Sequence, residues 1–186
     1  MGIPKEKEGV FTYADYYRWD DGERWELING VAYNMSPAPN RRHQQILGKL
    51  FRAIAEITDH GSCETYIAPF DVRFTADEET DTVVQPDISV FCDNAKLDER
   101  GAIGTPDLAV EILSPSTSHK DMSEKLRLYE ERGVREYWIV NGDVPWVMVY
   151  RLGPDGRYGK PDYYRPGEVI KSRVLEDTEF PVNRFL

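Results

Sequence analysis

The sequence predicts one α/β domain in which a mixed β-sheet is flanked by helices and carries extra β-hairpins. Three observations carry this: a long amphipathic stretch near Asn40 to Asp59, a second helical stretch lying between strand-like runs, and an Asn-Gly turn between two short strands. At 186 residues the chain is long enough for one well-buried core and too short for two ordinary domains.

In chain order, Thr12-Tyr13-Ala14-Asp15 has capping-box spacing, with Asp in place of the usual Glu, and opens a short helix that ends near the Asp20-Asp21-Gly22 turn. Residues 24–28 and 31–35 then flank Asn29-Gly30 as a hairpin. Between Asn40 and Asp59, Ile46, Leu47, Leu50, Ile54 and Ile57 recur at helical spacing, while Arg41, Arg42, Lys49 and Arg52 occupy the other face. Strand-like runs follow at about 63–75, 82–92 and 106–113. A helix over 119–132 is closed by Gly133. Its apolar stripe is Met122, Leu126 and Tyr129. Lys125 borders the inward side, and Lys120, Glu124, Arg127 and Glu131 form a charged outer face. Residues 136–140 and 146–150 and the Pro154-Asp155-Gly156 turn complete the chain as strands and hairpins.

Composition excludes several classes. No window approaches the roughly 20 apolar residues of a membrane span, and the polar N-terminus lacks a signal-peptide core, so a cytoplasmic protein without membrane contact is expected. Gly2 fails the myristoylation pattern because Glu6 stands where Ser or Thr is required. Cys63 and Cys92 are too few for a zinc site, and His43, His60 and His119 have no ligand spacing with them; both cysteines read as small core residues in a reducing compartment. The net charge of −10 rules out nucleic-acid binding through a diffuse basic surface.

Two acids stand where acids are costly. Asp87 follows Pro86 inside a strand-like run, and Pro86 marks an edge, bulge or strand start because it cannot donate to a ladder. In 107–113 the strand period sets Leu108, Val110 and Ile112 on one face and Asp107, Ala109, Glu111 and Leu113 on the other. A buried carboxylate needs a partner, and two of them about 4 Å apart repel by roughly 4 kcal/mol at an effective dielectric near 20. A divalent cation removes that repulsion, and oxygen ligands suit Mg²⁺ or Mn²⁺. The plainer readings are an Arg or Lys partner for each acid, and a Lys125 that only snorkels over the core edge. His43 opens the long helix, where a lone histidine is commonly structural. Ser114 to His119 lacks a nucleophile elbow and reads as a loop, with Asp121 capping the helix from Ser118 spacing.

Several segments together make a more specific pattern. Gln85-Pro86-Asp87, Pro106 to Thr117, Asp121, Lys125, Tyr129 and Gly133 to Val140 resemble the Uma-two family of restriction-endonuclease-like proteins. Trp25 to Gly30, Met35-Ser36-Pro37 and His43-Gln44 extend the likeness, which covers about 24–151. That resemblance implies a PD-(D/E)XK nuclease fold and Mg²⁺- or Mn²⁺-dependent endonuclease cleavage of DNA. It implies that Asp87 and Glu111 are the metal-binding acids and Glu26 an additional acid; in the site expected from this, the Ile112 carbonyl adds a metal ligand and Glu26 holds a second ion or a metal-bound water. The lysine of the pattern belongs at 113, where this chain has Leu113, and Lys125 is the matching migrated position. Phosphate contacts are expected from Arg41, Arg42, Lys49, Arg52 and Lys120. A homodimer would let such a unit reach both strands. The competing readings are a catalytically silent DNA- or protein-binding module on the same fold, and an unrelated structural or toxin-partner protein whose acids pair with arginines.

Overall fold

A computed structural model of the protein describes residues 10–35, 38–114 and 118–186. Residues 1–9, Ser36-Pro37 of the N-terminal likeness, the Pro115-Ser116-Thr117 loop and the side chains of Ser118 and His119 lie outside the described part.

The first helix, α1 (Tyr13–Tyr16), carries the expected capping box, with the Thr12 N–H donating to Asp15 at 3.2 Å. Strands β1 (Trp25–Ile28) and β2 (Val31–Asn34) pair antiparallel around Asn29 and Gly30. Both turn residues have positive φ, 51° and 75°, the backbone that a two-residue hairpin of this hand requires. Helix α2 (Arg41–Thr58) begins at Asn40, whose side chain accepts from the His43 N–H at 2.9 Å. Ile46, Leu47, Leu50 and Ile54 are buried, as the period predicts.

The rest of the chain forms β3 (Glu64–Ile67), β4 (Val72–Arg73), β5 (Val83–Val84), β6 (Ile88–Phe91), β7 (Leu97–Asp98), β8 (Gly101–Ile103) and β9 (Leu108–Ile112), then helices α3 (Ser118–Met122) and α4 (Glu124–Glu131). After them come β10 (Glu136–Asn141), β11 (Trp146–Arg151), β12 (Asp162–Tyr164), β13 (Val169–Ser172) and β14 (Thr178–Pro181). Two six-stranded sheets result, in the orders β2-β1-β5-β4-β8-β7 and β12-β11-β10-β9-β6-β3, with β13-β14 as a separate hairpin. Strands β9 and β10 are parallel and joined through α3 and α4, as the crossover predicts. The α/β mixed-sheet expectation holds, with the sheet divided in two.

Pro86 explains the division. Strand β5 belongs to one sheet and β6 to the other, so the chain changes sheets at Gln85-Pro86-Asp87, where no ladder N–H is available from proline. The predicted runs 63–75 and 82–92 are accordingly each broken into two strands. Strand alternation in β9 is as expected: Leu108, Val110 and Ile112 join α2 and the C-terminal Phe180 and Phe185 in one core, while Ala109 faces a second core with Leu128 and Tyr129 of α4.

Two expectations are corrected. The helix at 119–132 is interrupted at Ser123, which turns its two parts relative to each other; Met122 is exposed, and the inward residues of α4 are Lys125, Leu128 and Tyr129. The cysteines are not separate thiols: Cys63 and Cys92 form a disulfide. Continuing the antiparallel register of β3 and β6 one step past Glu64↔Phe91 sets them opposite each other, a pairing that exists only once those strands are matched.

Candidate active site

The register of β6 and β9 pairs Ile88 with Val110, and one further step sets Asp87 opposite Glu111 on the same face. The acids thus converge because of strand pairing, although they are far apart in sequence. Both line a cleft of about 270 Å³ together with Ile112. One wall is the open end of the β1–β2 hairpin and the start of α2, through Arg24, Met35, Asn40 and His43; the other is Ser114, Lys120, Asp121 and Lys125.

Lys125 is 1% exposed and its Nζ lies 2.7 Å from Glu111 Oε1 and 2.7 Å from Glu26 Oε1. Asp121, one turn earlier, is 3.9 Å away. Tyr129, one turn later, donates its hydroxyl to Glu111 Oε1 at 3.0 Å. Residues 121, 125 and 129 therefore form a polar stripe at helical spacing, and it faces inward. Burial acts against the Lys125 cation, but Glu111, Glu26 and Asp121 outweigh it and hold its pKa well above the ordinary lysine value. Lys125 is a fixed charge here, with no proton to exchange near neutrality.

Glu26 has no exposed surface. Its Oε1 accepts the Gln85 N–H at 2.8 Å, and its Oε2 lies 2.6 Å from Lys120 Nζ. Burial pushes its carboxyl up, yet Lys125 and Lys120 together bring it below the usual value. Glu26 is thus turned toward the two lysines, behind the lining of the cleft. Lys120 was expected on the outer face; the break at Ser123 brings its side chain inward to Glu26 and over the Tyr33 ring, 5.4 Å from its centre.

Glu111 behaves oppositely. Burial drives its carboxyl up, Lys125 pulls it down, and Asp121, Asp87 and Glu26 push it up again, leaving it well above the ordinary range. Asp87 Oδ2 accepts the Ile112 N–H at 2.8 Å and lies 3.1 Å from His43 Nε2. Since a carboxylate accepts, Nε2 is the donating nitrogen, and the buried Nδ1 has no partner among the described residues. Burial lowers the His43 pKa, and the hydrogen bond and charge of Asp87 with the Ile112 backbone more than offset it, for a net rise.

Among the described residues no three His, Cys, Asp or Glu side chains are grouped to hold a metal. The donor set on offer is different: two carboxylates and a main-chain carbonyl. Among the described residues the bonds to Asp87 fall on Oδ2 and those to Glu111 on Oε1, so the second oxygen of each is open to a ligand. Mg²⁺ needs only one or two carboxylates because it keeps several waters, and the cleft has room for them. The residues therefore fit such an ion.

Arg41, Arg42, Lys49 and Arg52 are not among the residues lining the cleft, whereas Arg24 is. Sequence reasoning missed Arg24 and the inward roles of Lys120 and Asp121. The i, i+4, i+8 spacing of Asp121, Lys125 and Tyr129 was the available signal for the last of these.

The mixed α/β fold thus gathers the acids Asp87 and Glu111 and the lysine Lys125 at one cleft. A family model named Uma2, described as "Putative restriction endonuclease", matches residues 13–183, and the chain belongs to that family. An uncharacterized protein, slr1290, from Synechocystis sp. is 28% identical over 145 residues, 76% of this chain and 74% of that protein. A crystal structure from Anabaena variabilis, titled as "a putative nuclease belonging to DUF820", superposes with a TM-score of 0.75 at 19% identity, covering 94% of this chain and 97% of the other. That likeness is one of fold. Among the described residues no helix is long and apolar enough to cross a membrane.

Proposed function

We propose that this protein is a Mg²⁺- or Mn²⁺-dependent endonuclease that hydrolyses DNA phosphodiester bonds. The observation that supports it most is a buried ammonium, Lys125, fixed between Glu26 and Glu111 at the side of a cleft that Asp87 also lines. Asp87, Glu111 and the Ile112 carbonyl would hold the ion. When bound it would supply positive charge at a phosphoryl oxygen and a more acidic water.

The chain's own residues do the rest. His43 and the Ile112 N–H fix Asp87 by one oxygen, which aims the other into the cleft. Tyr129 and Lys125 do the same for Glu111. Lys125, held as a cation by Glu111 and Glu26, would serve as a hydrogen-bond donor that orients the attacking water and steadies the phosphate charge. Glu26 acts through the lysines: it keeps Lys125 charged and placed. The lysine absent at position 113 is thereby supplied from α4, while Leu113 packs in the second core.

The test is cleavage of supercoiled plasmid, linear duplex and single-stranded DNA with Mg²⁺ or Mn²⁺. Asp87→Asn should abolish metal-dependent cleavage, and Lys125→Met should reduce it by about a hundredfold, the scale of one transition-state donor. Parent protein that leaves all three substrates intact with either metal sinks the enzyme reading. A cytoplasmic location belongs to the same proposal. The Cys63–Cys92 bond stands against it, because disulfides are rare in that compartment; alkylation of free thiols in freshly lysed cells decides the point.

A further inference from the structure

Among the described residues, three arginine and lysine side chains line the cleft, and they differ in how far their charge is already used. Lys120 lies 2.6 Å from Glu26, and Lys125 lies 2.7 Å from both Glu26 and Glu111. Each lysine is largely neutralised before any substrate arrives. Arg24 is held differently: its Nε and one terminal nitrogen donate to the same acceptor, Gln85 Oε1, at 3.3 and 2.8 Å. That acceptor is a neutral amide. Among the described residues no carboxylate comes within ion-pair distance of Arg24; Asp71, on the far side of the Gln85 amide, is near enough to feel its charge, and the rest of that charge is left to the cleft it lines.

The acceptor is itself fixed. Gln85 is nearly buried, and its amide nitrogen donates to Tyr16 at 3.1 Å and to Asp71 at 2.8 Å, which settles the direction of its carbonyl oxygen toward Arg24. The Gln85 backbone N–H meanwhile binds Glu26, and Pro86 and Asp87 follow directly. One residue thus sets Arg24, Glu26 and the start of the acidic strand in a common frame. Two nitrogens of the guanidinium are used on Gln85, and the remaining terminal nitrogen keeps its donors. A guanidinium stays charged at any working pH and matches phosphate oxygens with paired donors.

We propose that Arg24 is the residue that grips a backbone phosphate of the nucleic acid lying in this cleft, and that Gln85 is there to hold it without cancelling its charge. The inference rests on the nuclease reading of the cleft and adds to it the group that draws a polyanion into an otherwise acidic protein. At a net charge of −10 the attraction has to be local, and the arginines and lysine of α2 that were expected to provide it are not among the residues lining the cleft.

The test uses a fluorescent 20-base-pair duplex and its single strand, with Ca²⁺ in place of Mg²⁺, titrated at several salt concentrations against the parent, Arg24→Gln and Arg24→Lys. Expected are about tenfold weaker binding for Arg24→Gln, a salt slope smaller by about one unit, and an intermediate affinity for Arg24→Lys, which retains a point charge. The Mn²⁺-induced rise in Tm is measured on the same proteins and should be the same in Arg24→Gln as in the parent. Equal affinity and equal slope for Arg24→Gln and the parent would overturn the assignment. So would a parent that binds neither DNA form. A parent that binds DNA through Arg24 but shows no Tm response to Mn²⁺ would keep this assignment and remove the metal from the proposed function. If Arg24→Gln fails to fold, the slope is read from Arg24→Ala and the affinity from Arg24→Lys; an unchanged slope in Arg24→Ala, or an affinity of Arg24→Lys equal to the parent's, overturns the proposal.

Discussion

Glu111 and Glu136 stand on neighbouring parallel strands, three rungs apart, and both side chains are almost wholly buried. Their surroundings differ in kind. Glu136 receives hydrogen bonds from Trp138 Nε1 at 3.1 Å, Ser172 Oγ at 2.9 Å and the Val174 N–H at 3.2 Å, with Arg151 at 3.4 Å. The donors come from its own strand and the C-terminal hairpin region, Arg151 of β11 adds a charge, and both carboxylate oxygens are engaged. Glu111 has donors on one oxygen only, shares its single ammonium with Glu26, and has Asp121, Asp87 and Glu26 itself raising its pKa. Burial alone therefore does not mark a functional acid. An acid with donors on both oxygens ties segments together, whereas one left short of positive charge and bordering a cleft is the kind the proposed function sets beside a cation.

The largest effect that separates the two is on folding. Glu136→Ala strands the indole, the hydroxyl and the amide at once and removes the charge beside Arg151, and should cost about 4 kcal/mol in urea unfolding. Glu111→Gln keeps an acceptor for Lys125 and Tyr129, and without metal should change stability by no more than about 1 kcal/mol. Equal losses in the two variants would break the distinction.

The next effect is on metal response. Mn²⁺ at about 100 times its dissociation constant should add about 2.7 kcal/mol to the parent, because the ion binds the folded state alone. Glu111→Gln should lose most of that gain, while a folded conservative change at the other acid, Glu136→Gln, should keep it. Calorimetric scans with and without the ion give the answer, and a response that survives Glu111→Gln moves the metal elsewhere.

The smallest effect concerns Glu26, buried like Glu136 but partnered by charge like Glu111. Its folded pKa lies below the ordinary 4.5, so its contribution is fully present above the unfolded value and is lost as pH falls through the folded one. The stability difference between the parent and Glu26→Gln should thus be flat near neutrality and shrink in acid. A difference that grows as pH falls would contradict the assigned direction.

Much of this was legible from residues in sequence because the signals were local. Asn29-Gly30 specified its hairpin, Asn40 and the apolar period specified α2, and strand alternation put Glu111 opposite the Ile112 face. Asp87, Glu111 and Lys125 were also singled out in advance, and the structure brings them to one cleft. What was hidden depends on pairing and on interruptions. Nothing in the two-residue strands β4 and β5 says which sheet they join. Projecting an unbroken helix over 119–132 put Lys120 outside and Met122 inside, and the interruption at Ser123 reversed both. Arg24 gave no signal because its importance lies in having an amide for a neighbour 61 positions away.

The disulfide has a topological effect as well as an energetic one. With Cys63 and Cys92 joined, the 29-residue separation between them is closed into a covalent ring, and within that ring lie Asp87 and the exposed residues 75–79. A protease that nicked the exposed stretch would open the ring without dividing the protein. Both new ends would stay tethered through sulfur, β4 could still pair with β5, and Asp87 would still face Glu111. At its exposed β4–β5 turn the molecule is a closed loop that survives one cut.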